Sequence, residues 1–114
     1  ITYSAAISAC EKEGEWLKAL ELFGAMPKSG IEIDTVVCSA TISACEKGGE
    51  WLQALELFRV MRQHRIAANT ITFSAVISAC EKGGVWLKAI ELLNMMEQSR
   101  VEANAITYSA AISA

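Results

Sequence analysis

Histidine and proline are almost missing from this chain, with His64 and Pro27 the single occurrences in 114 residues. A His-Cys metal site, or a Ser-His or Cys-His catalytic pair, would therefore rest on one imidazole set between Arg62 and Arg65 at the end of a helical stretch. Neither a metal nor a catalytic residue is expected, and no cofactor is. No glycine-rich loop follows a strand, since Gly48-Gly49 and Gly83-Gly84 join helical stretches, so a phosphate cradle is excluded. The carboxylates are spread along the chain and form no converging pair. No run reaches the roughly 18 apolar residues that a membrane helix requires, so no membrane association is expected. Excess basic charge is also lacking. Net charge is -3 and the isoelectric point about 5.1, which weighs against a nucleic-acid partner because phosphate binding is driven by Lys and Arg. There is no basic leader with a cleavage site, and the chain reads as a fragment of a longer protein.

What is present is a repeat. The words around Ile42–Phe58 occur once before and once after, and Cys10, Cys45 and Cys80 fall 35 residues apart, as do Trp16, Trp51 and Trp86, and Met26, Met61 and Met96. Fixed self-similarity at a period of about 20 to 50 residues is the signature of a solenoid. The units run 1–34, 35–69 and 70–104, and 105–114 begins a fourth. Each unit is expected to pack on its neighbours only, with no central core. The ladder cysteines, with Cys38 as the fourth, form no Cys-x-x-Cys pair. Equivalent positions on neighbouring helices lie about 8 to 10 Å apart, beyond the roughly 7 Å Cα limit for a disulfide. They read as small buried thiols of a reducing compartment.

Within the third unit Phe73, Val76, Ile77 and Cys80 make an amphipathic helical stripe, Gly83-Gly84 breaks it, and Trp86, Ala89, Ile90, Leu93 and Met96 make a second. Each unit is thus a helical hairpin, the first helix about 11 and the second about 13 residues, both too short to stand alone in water. Tyr3, Ala6, Ile7 and Cys10 begin the same pattern in the first unit. Cys38, Thr41, Ile42 and Cys45 do so in the second. Glu15 and Glu50 open second helices, where the helix dipole favours a carboxylate. Pro27 is expected to end its helix earlier than the counterparts. The tryptophans lie on the apolar stripe, which points to packing rather than base stacking.

A tetratricopeptide array has a period of 34, but its Trp-x-x-Leu-Gly-x-x-Tyr pattern is absent. The Thr-(Tyr/Phe)-Ser-Ala-x-Ile-Ser-Ala-Cys opening, the Lys-x-Gly turn, the Ala-(Leu/Ile)-Glu-Leu-(Phe/Leu) second helix with its Met, and the closing Asp or Asn together resemble the pentatricopeptide repeat family. The match runs the whole chain without insertion. Two departures stand out: Ile33, Ala68 and Ala103 replace a common proline, and Cys38 occupies an aromatic position. The resemblance implies an all-α, right-handed solenoid of stacked antiparallel hairpins.

It also implies single-stranded RNA binding at one base per repeat, in mitochondrial or plastid RNA metabolism, without catalysis. Two side chains read each base in this family. Ser4, Ser39, Ser74 and Ser109 match the first, and Asp34, Asn69 and Asn104 match the second. Ile1, Val36, Ile71 and Ile106 match an apolar residue that wedges between bases, and Lys12, Lys47 and Lys82 match a basic position near phosphates. The family's pairing of Ser with Asp to guanine and Ser with Asn to adenine gives 5'-GAA-3'. Hydroxyl, carboxylate and amide suit purine edges chemically. Asp34, Asn69 and Asn104 are equally suited to cap the next helix, and the lysines to sit solvated at a turn. Opposite the first-helix stripe, Ser8, Ser43 and Ser78 extend the serines into a polar face. Glu21, Glu56 and Glu91 fall on second helices and place negative charge outside, although Glu11, Glu46 and Glu81 stand beside the lysines. The expectation is a monomer that binds RNA and not duplex DNA. A helical scaffold for protein partners is the alternative, which the acidic isoelectric point favours.

Overall fold

The two stripes and the glycine turn of each unit become helices in the computed structural model, which describes residues 3–30 and 32–98. The order is α1 (Tyr3–Glu13), α2 (Trp16–Lys28), α3 (Thr35–Lys47), α4 (Trp51–Gln63), α5 (Thr70–Lys82) and α6 (Trp86–Gln98). Among the described residues there is no strand, and no helix long and apolar enough to cross a membrane. The first helices α1, α3 and α5 lie side by side in one row. Each second helix packs on its own first helix, and α2 and α4 also lie against the first helix of the next hairpin. This is an all-α solenoid. Sandwiched on several sides, α3 buries Val37, Cys38, Thr41, Ile42, Ala44 and Cys45, whereas α4 buries the single stripe Ala54, Leu57, Phe58 and Met61.

First helices are longer than the stripe alone suggests. Both α3 and α5 have 13 residues because their caps pull the start forward. Asp34, in extended backbone, accepts the Val37 N–H at 2.9 Å, and Asn69 accepts the Thr72 N–H at 3.0 Å. Each bond satisfies one of the donors that a helix start leaves open, a contribution of about 1 kcal/mol. Pro27 does not shorten its helix as expected. Helix α2 has the same 13 residues as α4 and α6, with Pro27 inside it. In the last turn a proline removes only one intrahelical bond, and the Ser29 N–H still closes the end on Ala25 and Met26 carbonyls at 3.1 Å.

The glycine pairs do two different jobs. Gly49 and Gly84 take φ of 75° and 74°, the left-handed conformation that ends a helix in a Schellman motif, with Glu50 N–H on Cys45 O at 2.8 Å and Val85 N–H on Cys80 O at 2.9 Å. Gly48 and Gly83 stay right-handed and are small for another reason. A Cβ at either would run into the indole of the preceding hairpin, Trp16 over Gly48 and Trp51 over Gly83. The tryptophans thus seat one hairpin on the next rather than filling its interior. Trp16 and Trp51 are half-buried, while Trp86 is 54 % exposed.

Candidate nucleic-acid interface

The face of the first-helix row turned away from the second helices carries a cavity of about 180 Å³, lined by Glu11, Val36, Ser39, Ala40, Ser43, Asn69 and Ile71. Helix α3 supplies Val36, Ser39 and Ser43 at helical spacing, on the side opposite its buried stripe. Asn69 and Ile71 come from the cap and first turn of α5. Val36 and Ile71 are 64 % and 63 % exposed, although both are large aliphatics. Coming from successive first helices, they line the cavity beside the polar Ser39, Ser43 and Asn69. A flat aromatic ring bearing hydrogen-bonding edges has the matching chemistry.

Ser39 is only 5 % exposed, deeper than a position on an open polar face would be. Its hydroxyl meets the Thr72 hydroxyl at 2.5 Å, across the α3–α5 contact. Thr72 in turn donates its hydroxyl proton to Asn69 Oδ1 at 3.0 Å and accepts the Asn69 backbone N–H at 3.3 Å, completing a capping box. One network therefore joins the serine and the closing amide. Capping and lining the cavity coexist in Asn69, since the cap uses the amide oxygen and leaves the NH2 group unengaged among the described residues. Asp34 divides its groups the same way: Oδ1 caps α3, and the residue is exposed.

Three short sequence models cover the chain end to end: a pentatricopeptide repeat domain over residues 21–83, a PPR repeat over 1–31 and the PPR repeat family over 68–114. The chain belongs to the pentatricopeptide repeat family. No curated protein matches it. Among solved structures it is similar to the pentatricopeptide repeat protein PPR10 from maize, with a TM-score of 0.84 at 26 % identity over 96 % of this chain. PPR10 in complex with an 18-nt psaJ RNA element matches with a TM-score of 0.81 at 21 % identity. The PPR domain of Arabidopsis thaliana protein-only RNase P 1, in complex with tRNA, matches with a TM-score of 0.84 at 16 % identity. These likenesses show a shared fold. The chain spans 16 % of the PPR10 chains and 61 % of the RNase P domain.

Of the pentatricopeptide positions singled out in the sequence, Val36, Ser39, Ile71 and Asn69 are brought together at this one cavity. Ser74 is half-buried on α5, one repeat further along the row. Ile1, Asn104, Ile106 and Ser109 lie outside the described residues, as does the side chain of Ser4. The lysines are drawn into cross-repeat pairs. Lys47 Nζ meets Glu11 Oε2 at 2.6 Å, and Lys82 pairs with Glu46 in the same manner. Lys12 is exposed. The expected concentration of negative charge on second helices is offset locally, because Glu21, Glu56 and Glu91 pair with Lys18, Arg59 and Lys88 three residues away at 3.2 to 3.4 Å. Sequence reasoning placed Ser43 on the polar face and missed Thr72 and Glu11 as neighbours of the site. For Thr72 the signal was there, an Asn-x-x-Thr word that reads as a helix start.

The cysteines belong to the packing. Burial pushes the Cys38 thiol up to about 12, with Asp34 adding to the shift, and the Cys45 thiol to about 11, with Glu50 adding. Cys80 is likewise raised by burial to about 11, against a small lowering by Lys88. Thiols so hard to ionise are poor nucleophiles and poor metal ligands.

Proposed function

We propose that this chain binds single-stranded RNA, one base per hairpin, with each base held between the exposed aliphatics of successive repeats. The observation that carries it is the cavity lined by Val36 and Ile71 with Ser39 and Asn69 in its wall. Solved neighbours of the same fold that hold RNA support the reading. Ser4 with Asp34, Ser39 with Asn69 and Ser74 with Asn104 then read guanine, adenine and adenine, giving 5'-GAA-3' along the N-to-C direction. Ile1 and Ile106 extend the wedge series, and Ser109 begins a fourth site. Organellar RNA metabolism is the setting that family kinship implies, and the parent protein sets the outcome for its transcript.

Affinity of this length of array is modest. Stacking and edge contacts contribute on the order of 1 to 3 kcal/mol per base, and part of that is offset by ordering the strand. The test is a low-salt titration against short fluorescent RNAs that differ in one triplet, GAA against AAA, GGG and UUU, beside Asp34→Asn. GAA binds best, and the substitution moves the preference to AAA. Equal binding of all four triplets would defeat base reading.

One observation favours a second reading. Leu17, Leu52 and Leu87, equivalent residues on the three second helices, are 66 %, 60 % and 64 % exposed. Such a ladder suits a protein partner on the opposite face. Folded chain that binds no RNA at high micromolar concentration would shift the weight to that face.

A further inference from the structure

Asn69 and Ser39 each have two ways to meet a base, and their surroundings remove one from each. The Thr72 backbone N–H, 3.0 Å from the Asn69 side chain, is a donor only, so the atom it meets is Oδ1 and the NH2 group points away from the helix start. The Thr72 hydroxyl spends its one proton on the same Oδ1, also at 3.0 Å. With that proton on Asn69, what remains on Thr72 Oγ1 is acceptor capacity, and in this arrangement Ser39 is the donor of the 2.5 Å contact. A serine whose proton is committed inward offers the cavity lone pairs alone. The middle site therefore presents an acceptor at Ser39 and a donor at Asn69.

The preceding site lacks this device. Val37 stands where Thr72 stands one repeat later, and among the described residues the Asp34 side chain accepts the Val37 N–H alone, at 2.9 Å. A carboxylate is acceptor at both oxygens and needs no second group to fix its polarity. In the sequence the pairing recurs, since Asn104 is followed at the same spacing by Thr107. Both amides are followed by threonine, and the carboxylate is followed by valine.

We propose that Thr72 is a positioning residue for base choice: by taking the Ser39 proton and passing its own to Asn69, it fixes the donor–acceptor order of the middle site. Adenine and guanine carry opposite orders at positions 1 and 6, donor at 6 and acceptor at 1 in adenine and the reverse in guanine. A site of fixed polarity separates them. A serine free to donate or accept does not. The inference rests on the RNA-binding reading and adds to it a residue that touches no base.

The test uses the whole chain with Thr72→Val, the residue the preceding repeat already carries there, and Thr72→Ser, which keeps the hydroxyl. RNAs differ at the middle base, GAA against GGA, or at the first, GAA against AAA. In Thr72→Val the middle-base preference falls about tenfold, as expected when a buried polar contact is no longer enforced, while the first-base preference holds. Thr72→Ser restores the middle-base preference. A middle-base ratio within twofold of wild type in Thr72→Val overturns the proposal, and so does an equal fall at both bases, which marks a merely structural role. The free protein supplies a readout independent of RNA: the Asn69 side-chain amide resonances shift in Thr72→Val and not in Thr72→Ser. Unmoved resonances overturn the positioning role. Wild-type chain that binds no RNA, with those resonances shifting as stated, overturns the functional reading and leaves the network standing.

Discussion

Two joints between hairpins are described, α1–α2 onto α3 and α3–α4 onto α5, and they differ at their polar edge far more than in how they stack. Both seat a tryptophan on a right-handed glycine, Trp16 on Gly48 and Trp51 on Gly83. Both cross-link a glutamate to the next lysine, Glu11 to Lys47 and Glu46 to Lys82. At the cap, by contrast, the first joint has Asp34, Val37 and Cys38, and the second has Asn69, Thr72 and Phe73. The tryptophan–glycine and glutamate–lysine contacts between hairpins are copied without change. The capping residue and the buried pair behind it vary.

The largest effect should come from a fully buried position where the joints differ in size. Phe73 is buried and packs edge-on against Phe58, with ring centroids 5.2 Å apart at 65°. Cys38 fills the equivalent place in the first joint. Phe73→Ala is expected to cost about 3 to 5 kcal/mol, and Cys38→Ala about 1 kcal/mol. Urea unfolding followed by circular dichroism checks both. Equal costs would mean that the second joint is not anchored by its aromatic pair.

Where the joints agree, the same change should hurt both alike. Gly48→Ala and Gly83→Ala suit the right-handed backbone, so their cost comes from the collision with the indole alone. Overpacking of this kind costs about 1 to 3 kcal/mol. The doubles Gly48→Ala with Trp16→Leu, and Gly83→Ala with Trp51→Leu, should lose less than the sum of their singles. Additive losses at one joint would show that its indole is not seated on the glycine.

A milder perturbation is pH, which acts on Cys38 but has no counterpart at Phe73. Its thiol is pushed up to about 12 in the folded chain from an ordinary value of 9.0. A raised acid contributes stability that is intact below pH 9 and is lost as pH rises toward 12, because the unfolded chain ionises first. Cys45 and Cys80, raised to about 11, act in the same direction. Melting should therefore fall between pH 8 and pH 10, and Cys38→Ala should fall less, by about 1 kcal/mol at the upper pH. Identical pH profiles would remove Cys38 from the account.

Much of this architecture was legible before any coordinates, because a copied period reports on itself: Cys, Trp and Met ladders at one spacing leave little room for another fold. The helix hairpins and their glycine turns followed from that register, whereas the proposed wedge and reading positions rest on the family resemblance. What stayed hidden depends on contacts between repeats or on a single turn. Ser39 read as a groove-facing hydroxyl because nothing local to it reveals Thr72, which lies 33 residues on. The Glu–Lys pairs escaped for a related reason, since 36 residues separate the partners, one repeat and one residue more. Pro27 was misread because the rule for helix interiors fails in a last turn, whereas Trp16 and Trp51 do pack, on the neighbouring repeat as well as on the core.

The smallest stability effect, and a sharp one for function, lies in those Glu–Lys pairs. They are exposed ion pairs at both joints, with Lys47 and Lys82 side chains 45 % and 52 % accessible, so each is expected to contribute no more than about 1 kcal/mol. On the proposed RNA-binding reading their consequence is larger, since a lysine held by a carboxylate has to leave it to meet a phosphate. Glu46→Gln releases Lys82 without changing shape. If Lys82 lies along the strand, this variant binds RNA more tightly at low salt, and Lys82→Met shallows the slope of log affinity against log salt by roughly 0.7. Glu11→Gln with Lys47→Met repeats the experiment at the first joint. Unchanged slopes at both would assign the lysines to stacking alone and leave phosphate contact to other groups, among which the exposed Lys12 is next to be tested.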